Sequence, residues 1–451
     1  MKPDKQLERL GLFDAKVPRY TSYPTAPHFQ GGFGAGEFVS WLGQIPAGSR
    51  ISLYLHVPFC RRLCWFCACR TQGTQSEDPV IAYAQTLRDE IALLARHLPE
   101  KITLSRLHWG GGTPTLLPPD EIRRLADAIF SVVPMAPGGE FSVEIDPNEA
   151  DDARLDALAR AGMNRASIGV QDFDPEIQKA IGRNQSYELT KRIADGLRAR
   201  GIGSLNADIL YGLPHQDKLR IADSVQKLLS LGPDRVALYG YAHVPWMSRR
   251  QQLIPSDSLP TPQERLALFE TARALFAADG YDEIGIDHFA LPADGLSQTW
   301  KEGRLRRNFQ GYTDDQSGVL VGLGASSISR FPQGYAQNAP ATAAYTKAIR
   351  EGRFSVSKGH VFQGEDLLRG RIIEALMCDF RVSGAGLIRD YGASPARLAT
   401  LFKAAEERFG DMVTLQNGDL LIPDQARPLT RMIARMFDEY DSAKAQHSAA
   451  V

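Results

Sequence analysis

Four of the five cysteines of this 451-residue chain fall within ten residues, Cys60, Cys64, Cys67 and Cys69. They sit on a loop that follows an apolar, strand-like run from Ile51 to Val57. Packing alone would scatter small apolar residues over the core, so the cluster needs a chemical reason. A disulfide framework belongs to an oxidising compartment and to small chains that lack a core. A structural zinc site wants two ligand pairs a dozen or more residues apart, and no His-x3-His partner follows. A redox pair of Cys64 and Cys67 would stand at a helix start and would leave Cys60 and Cys69 unexplained. An iron–sulfur cluster, whose usual ligands are thiolates, accounts for the clustering best.

The spacing Cys60-x3-Cys64-x2-Cys67 gives three thiolates to a four-iron cluster and leaves one iron open. At this point the chain resembles the radical S-adenosylmethionine (radical SAM) superfamily, in which the methionine end of SAM chelates that iron. The resemblance narrows with Tyr54-x-His56-x-Pro58-Phe59-Cys60, the aromatic Phe66 before Cys67, and the extra Cys69. Together these look like the oxygen-independent coproporphyrinogen III oxidases (dehydrogenases) of haem biosynthesis. The resemblance covers roughly residues 15 to 440.

The formal net charge of −1 argues against a general nucleic-acid or membrane-surface role, which needs a basic excess. No apolar run approaches a membrane span, and Met1-Lys-Pro-Asp-Lys opens no secretory signal. A cytoplasmic protein is expected, with monomer as the default state. The fifth cysteine, Cys378, lies in an apolar helical stretch and reads as core.

From Ile51 the chain alternates strand and helix. Strands are expected at Leu104 to Trp109, Glu140 to Asp146, Arg165 to Gln171, Leu205 to Tyr211 and Arg235 to Tyr241. Helices carry apolar faces such as Ile122, Leu125, Ala126 and Ile129. Thr261-Pro-Gln-Glu264 is a capping box. Six strand–helix units argue a parallel α/β fold with right-handed crossovers, and an open sheet or a barrel both fit. Polar residues gather where strands end, the active-site face of a (β/α) barrel. The resemblance implies an incomplete six-unit barrel, (β/α)6, and that is the expectation here. Residues 1–50 form an N-terminal arm, 51–345 the catalytic barrel with an extension, and 346–451 a mainly helical, winged-helix-like domain. That last domain has helices at Asp366 to Phe380, Pro395 to Phe409 and Leu429 to Tyr440, and a hairpin around Asn417-Gly418. The Gly322-x-Gly324 pair lacks the third glycine and helix of a dinucleotide site, a weak signal for NAD. The arm, with Arg19-Tyr20-Thr21-Ser22-Tyr23-Pro24, either packs on the barrel or, as the resemblance implies, reaches the active-site mouth.

SAM must be held against the cluster for one-electron cleavage, with the protein positioning the cofactor. Gly110-Gly111-Gly112 is either a tight turn or a place where backbone approaches a ligand. Glu144 alternates with Val143 and Ile145, so it points inward with Ser142 and needs a hydroxyl or cationic partner. The resemblance assigns Tyr54, Gly111 and Glu144 to the SAM on the cluster. It assigns Phe66, Gly112, Thr113, Gln171, Arg183, Asp208, Ala242 and Ile328 to a second SAM site. Taken singly, Gln171, Arg183 and Asp208 also read as structural. His56 is either a satisfied core histidine or tunes the site. Cys69 is a fourth ligand in the absence of SAM, a proton donor, or a neighbour of the ligands.

The reaction implied by the resemblance is oxidative decarboxylation of two propionates of coproporphyrinogen III to vinyls. It consumes two SAM and needs an external electron donor and acceptor. A tetra-anionic substrate asks for guanidinium partners, with Arg19, Arg304, Arg306 and Arg307 as candidates. Two readings compete. Related haem chaperones share the barrel and the cysteine triplet but typically lack Cys69 and the Tyr20/Tyr23 arm. A zinc-stabilised nucleic-acid module would hold zinc in place of iron and sulfide.

Overall fold

In the computed structural model, which describes residues 3–440 and 447–451, a single twelve-stranded sheet carries the molecule. Met1, Lys2 and residues 441–446, parts of the expected opening segment and C-terminal domain, lie outside the described residues. Six parallel strands form its centre: β1 (Arg50–Val57), β2 (Thr103–Gly111), β3 (Met135–Ile145), β4 (Arg165–Gln171), β5 (Ser204–Tyr211) and β6 (Arg235–Gly240). Each pairs in parallel with the next. Between and after them run α1 (Asp78–Ala95), α2 (Pro119–Val132), α3 (Asp152–Arg160), α4 (Tyr187–Ala199), α5 (Lys218–Leu229) and α6 (Pro262–Ala278).

The sequence dictates these elements locally. On α2, Ile122, Leu125, Ala126 and Ile129 are buried at helical spacing. At the start of α6, Glu264 N–H donates to Thr261 Oγ1 (3.3 Å) and Thr261 N–H to Glu264 Oε2 (2.7 Å), the expected capping box. The strands alternate, apart from register shifts at Ile51/Ser52, Leu104/Arg106 and Gly169/Gln171. Leu55, Val57, Leu107, Trp109, Phe141, Val143, Ile168 and Leu238 enter the main core under the helices. Ser52, Tyr54, His56, Arg106, His108, Ser142 and Glu144 face the other way, into a cavity.

The expected extension continues the sheet at both ends. β7 (Asp282–Ile284) and β8 (His288–Ala290) add antiparallel beyond β6. β9 (Leu320–Leu323) pairs in parallel with β1, and β10 (Ile328–Phe331), β11 (Gly334–Asn338) and β12 (Val356–Val361) follow antiparallel. Gly322 and Gly324 thus belong to a sheet strand and its end, and the sheet runs past the 345/346 boundary drawn from the sequence. Among the described residues the two ends of the sheet do not pair, so the barrel is incomplete, as expected.

A second core joins the N-terminal arm to the C-terminal helices. Leu7, Leu10, Leu12, Tyr20 and Tyr23 pack with Ile372, Leu376, Leu398, Phe402, Ile433 and Phe437. The start of the arm therefore leaves the barrel, while Phe38, Trp41 and Leu42 pack on it. The C-terminal region has helices Asp366–Asp379 and Pro395–Phe409 and a three-stranded sheet. Its hairpin turns at Asn417 (φ 54°) and Gly418 (φ 82°), the left-handed pair that a two-residue turn requires. The helix expected from Leu429 to Tyr440 is shorter, Thr430–Arg435. Beyond it the arm meets the chain: Tyr23 Oη accepts from Glu439 N–H (3.1 Å) and Tyr20 Oη donates to the Asp438 carboxylate (3.0 Å). Cys378 is fully buried beside Ile284, Leu296 and Tyr312. No helix among the described residues is long and apolar enough to cross a membrane.

Candidate active site

The inward-facing residues of β1 to β6 line a cavity of about 470 Å³. Tyr54, His56, Cys69, Gly111, Glu144, Asp208 and Ile328 all open onto it. Glu144 Oε2 accepts from Gly111 N–H at 3.0 Å, and Oε1 lies 3.3 Å from His108 Nε2. Burial pushes the Glu144 carboxyl up, but the His108 contact, the Gly111 N–H and the nearby His56 outweigh it and hold the group below its usual range. His108 Nδ1 bonds Ser142 Oγ (2.6 Å), and its ring stacks on Tyr54 (5.7 Å between centroids).

His56 Nε2 lies 3.2 Å from the Arg70 carbonyl and Nδ1 3.0 Å from Tyr54 Oη. A carbonyl can only accept, so Nε2 carries the proton and Tyr54 donates to Nδ1. Burial lowers the His56 pKa, which suits this neutral form. Asp208 is pushed up to about 7 by burial and by the charge of Glu144, with Asn206 Nδ2 donating to it at 2.9 Å.

The glycine triplet ties β2 to the base of the cysteine loop. Gly112 N–H donates to Val57 O (2.9 Å) and Thr113 N–H to Phe59 O (2.7 Å). A Cβ on Gly112 would stand 2.4 Å from Phe59 O, and one on Gly111 (φ 108°) 2.4 Å from the His56 ring. The close approach that these glycines permit is to the protein's own groups, which also leaves the Gly111 N–H free to point at Glu144.

Cys60, Cys64 and Cys67 are partly exposed along the loop and Cys69 is exposed. Thr113 hydrogen-bonds Cys60. Arg183 Nη1 lies 3.5 Å from Cys64 Sγ, a positive charge beside a thiolate position. Cys69 N–H donates to the Cys67 sulfur (3.4 Å), and the Cys69 contact draws the Cys67 thiol below its usual value. Among the described residues no three Cys, His, Asp or Glu side chains converge on one metal ion. A four-iron cluster takes each thiolate on a separate iron, so three spread thiols with a guanidinium and hydroxyl neighbours fit that group.

The remaining residues expected at a second SAM site surround the loop. Gln171 (φ 71°) and Arg183 both reach over Gly169, where a Cβ would lie 3.0 Å and 3.4 Å from their side-chain nitrogens. Gln251 Nε2 donates to both Phe66 O (2.8 Å) and Ala242 O (3.1 Å). Asp208 and Ile328 alone of that set line the barrel cavity together with Tyr54 and Glu144.

Several residues of the site escape the sequence reading. His108 is one. The turn at Ser248, Arg250 and Gln251 is another, since it holds the cysteine loop by the carbonyls of Cys67, Cys69 and Phe66. At the opposite end of the cavity Arg106, Arg165 and Arg235 are matched by Asp314 (3.0 Å), Glu140 (2.7 Å) and Asp294 (2.5 Å). The available signal was the period-two polar set on every strand, such as Arg106/His108 and Arg165/Ser167, which marks one wetted face.

A cysteine triplet after the first strand of an incomplete parallel barrel, with a glycine triplet after the second, defines a radical SAM enzyme. The radical SAM superfamily model matches residues 54–228. Membership implies a 4Fe–4S cluster and SAM. The oxygen-independent coproporphyrinogen III oxidase of Paracoccus denitrificans is 66% identical over 451 residues, all of both chains. The enzyme of that name from Escherichia coli is 35% identical, over 98% of this chain and 97% of its own. A solved structure of the Escherichia coli coproporphyrinogen III oxidase, described as a radical SAM enzyme, superposes with a TM-score of 0.89 at 33% identity, covering 95% of this chain and all of that one. The chain belongs to the oxygen-independent coproporphyrinogen III oxidases.

Proposed function

We propose that the protein converts two propionate side chains of coproporphyrinogen III to vinyl groups, giving protoporphyrinogen IX. Two SAM are consumed as methionine and 5′-deoxyadenosine, and two CO2 are released. The observation that carries this reading is that Cys69 of the cysteine loop, Gly111, Glu144 and Asp208 share one cavity, so cofactor and substrate meet there. The substrate follows the family to which the chain belongs.

Cys60, Cys64 and Cys67 would hold the cluster. Bound together, cluster and SAM would supply the chemistry that removes a hydrogen atom from the propionate carbon β to the carboxylate. Each vinyl then forms as CO2 leaves and one electron passes to an external acceptor. An external donor supplies the reducing electron. Glu144, ionised in its pocket, would accept from a polar group of SAM, with Tyr54 and Gly111 beside it. His56 donates to the Arg70 carbonyl and so ties the far end of the cysteine loop back to β1. Cys69 steadies Cys67 through its hydrogen bond. Phe66, Gly112, Thr113, Gln171, Arg183, Asp208, Ala242 and Ile328 would serve the second SAM. The protein acts as a cytoplasmic monomer.

The test is turnover by protein reconstituted under argon with dithionite, SAM and coproporphyrinogen III. Protoporphyrin after oxidation together with 5′-deoxyadenosine is expected, and both vanish in Cys64→Ser. Deoxyadenosine without porphyrin product would sink the substrate assignment, and tight haem binding without either would favour the chaperone reading.

A further inference from the structure

Of the four arginines expected to meet the substrate, three are paired inside the protein or on its surface. Arg304 pairs with Glu302, Arg306 with Glu374 (3.0 Å) and Arg307 with Asp287 (3.8 Å), while Arg19 donates to Gly240 O (2.7 Å). Guanidiniums without a carboxylate gather instead beside the cysteine loop.

After β6, residues 241–254 run across that loop and hold it. Ser248 Oγ donates to Cys67 O (3.1 Å), Arg250 Nη2 to Cys69 O (3.3 Å) and Gln251 Nε2 to Phe66 O (2.8 Å). Met247 is thus one residue and one hydrogen bond away from Cys67. The turn shows an apolar face to water, with Trp246 50% and Met247 71% exposed. A single exposed apolar side chain needs no explanation, but an aromatic and a methionine side by side on one turn mark a contact surface. The face is fixed in advance. Gln251, fully buried, accepts from Val244 N–H (2.5 Å), and Met247 N–H and Ser248 N–H donate to Val244 O (2.8 and 3.0 Å). A surface held this way loses little freedom when a partner binds.

The surroundings are basic. Residues 60–76 and 242–260 together carry five arginines and one carboxylate, Asp257, in a chain whose net charge is −1. Arg61 pairs with Glu149 (3.7 Å). Arg70, Arg249 and Arg250 form no ion pair among the described residues, and Arg70 and Arg249 are exposed. Lys16 of the arm adds a charge over the Trp246 ring (5.9 Å). Charges that stand in water need no internal counter-ion; grouped with one sign, they attract an acidic partner and orient it.

We propose that Trp246, Met247 and the basic residues around them are the docking face for an acidic one-electron carrier protein. The proposal rests on the radical reaction described above, which takes one reducing electron per SAM from outside the chain. One electron leaves the reduced carrier, which ends oxidised, and reduces by one the group held at Cys60, Cys64 and Cys67. A small apolar centre with a charged rim suits the brief, small interfaces over which redox partners meet. Neither Trp246 nor Met247 lines the barrel cavity, so a docked carrier leaves that cavity to SAM and substrate.

The experiment uses two probes of this class, a plant-type 2Fe–2S ferredoxin and an acidic flavodoxin carrying FMN. Their binding to reconstituted full-length protein is measured by calorimetry for wild type, Met247→Glu and Arg249→Glu. At least one probe is expected to bind wild type, and to lose about tenfold in affinity in each variant. The wild-type affinity should also fall roughly tenfold as salt rises from about 50 to about 500 mM. Formation of 5′-deoxyadenosine driven by the reduced probe should drop in proportion, while formation driven by dithionite, which needs no docking face, stays within about twofold of wild type. That unchanged rate also shows the variants to be folded. Failure of both probes to bind, or binding that neither substitution weakens, would overturn the docking face. So would a wild-type dimer that Met247→Glu dissolves, because a second copy of the chain would then own the surface. Wild-type protein that forms no 5′-deoxyadenosine with dithionite would instead overturn the reaction on which the proposal rests.

Discussion

Glu144 and Glu90 lie on opposite faces of one sheet, Glu144 on the open cavity with its side chain 40% exposed and Glu90 fully buried, and each accepts a hydrogen bond from a glycine N–H at a strand end. For Glu144 that glycine is Gly111; for Glu90, on α1, it is Gly324 (2.7 Å). Glu90 also accepts from Tyr345 Oη (2.7 Å) and Asn338 Nδ2 (2.9 Å). Its partners are all neutral, and burial raises it to about 7. Glu144 has the imidazoles of His108 and His56 nearby and stays below its usual range. Equal backbone donors thus go with opposite shifts, and the open cavity and the His108 contact at Glu144 make the difference. One carboxyl is a structural knot under the helices; the other is an anion on the wall of the cavity.

The comparison breaks most visibly at Glu90. Glu90→Ala strands the Gly324 N–H and the Tyr345 hydroxyl in a cavity, and should cost about 4 kcal/mol in urea unfolding with activity per folded molecule retained. A smaller effect appears with pH. The folded Glu90 binds a proton that the unfolded chain, near 4.5, has released, so stability falls as pH rises from about 4.5 to about 7 and is level above. The span is roughly 3 kcal/mol, and the slope should flatten in Glu90→Gln when unfolding is compared at the two ends of that window. Glu144→Gln should leave stability near wild type and reduce 5′-deoxyadenosine formation about a hundredfold, since a charged acceptor is lost. Equal deoxyadenosine rates would end the claim that its ionisation matters. The smallest change is expected at Asp208. Its raised pKa owes part to Glu144, so in Glu144→Gln the Asp208 carboxyl should titrate lower, and Asp208→Asn alone should slow turnover only severalfold at pH 7.

The barrel was legible because strand and helix alternate with unambiguous periods, and the cysteine loop because four thiols so close together have few chemical explanations. Glu144 was legible by alternation against Val143 and Ile145. His108 was not, although it shares the inward face, because a polar residue at period two marks a solvent face as readily as a lumen. The arginines at the closed end of the cavity were invisible for the same reason, and their partners Asp294 and Asp314 lie far off in sequence. The shared core of Leu7–Tyr23 with the C-terminal helices depends on contacts across nearly the whole chain, which local pattern does not encode.

The pairing of β9 with β1 also sets an order of events during synthesis. Ser52 to Leu55 find partners at Leu320 to Leu323, and Glu90 and Tyr83 close on Gly324 and Ala325. Until that late segment leaves the ribosome, the strand leading into the cysteine loop has one bare edge, and its neighbours Tyr83 and Glu90 lack their closing bonds. A nascent chain therefore carries its thiols on a half-finished support for most of translation, with an edge able to pair wrongly. The support of the cysteine loop is thus complete only after the last parallel strand has docked.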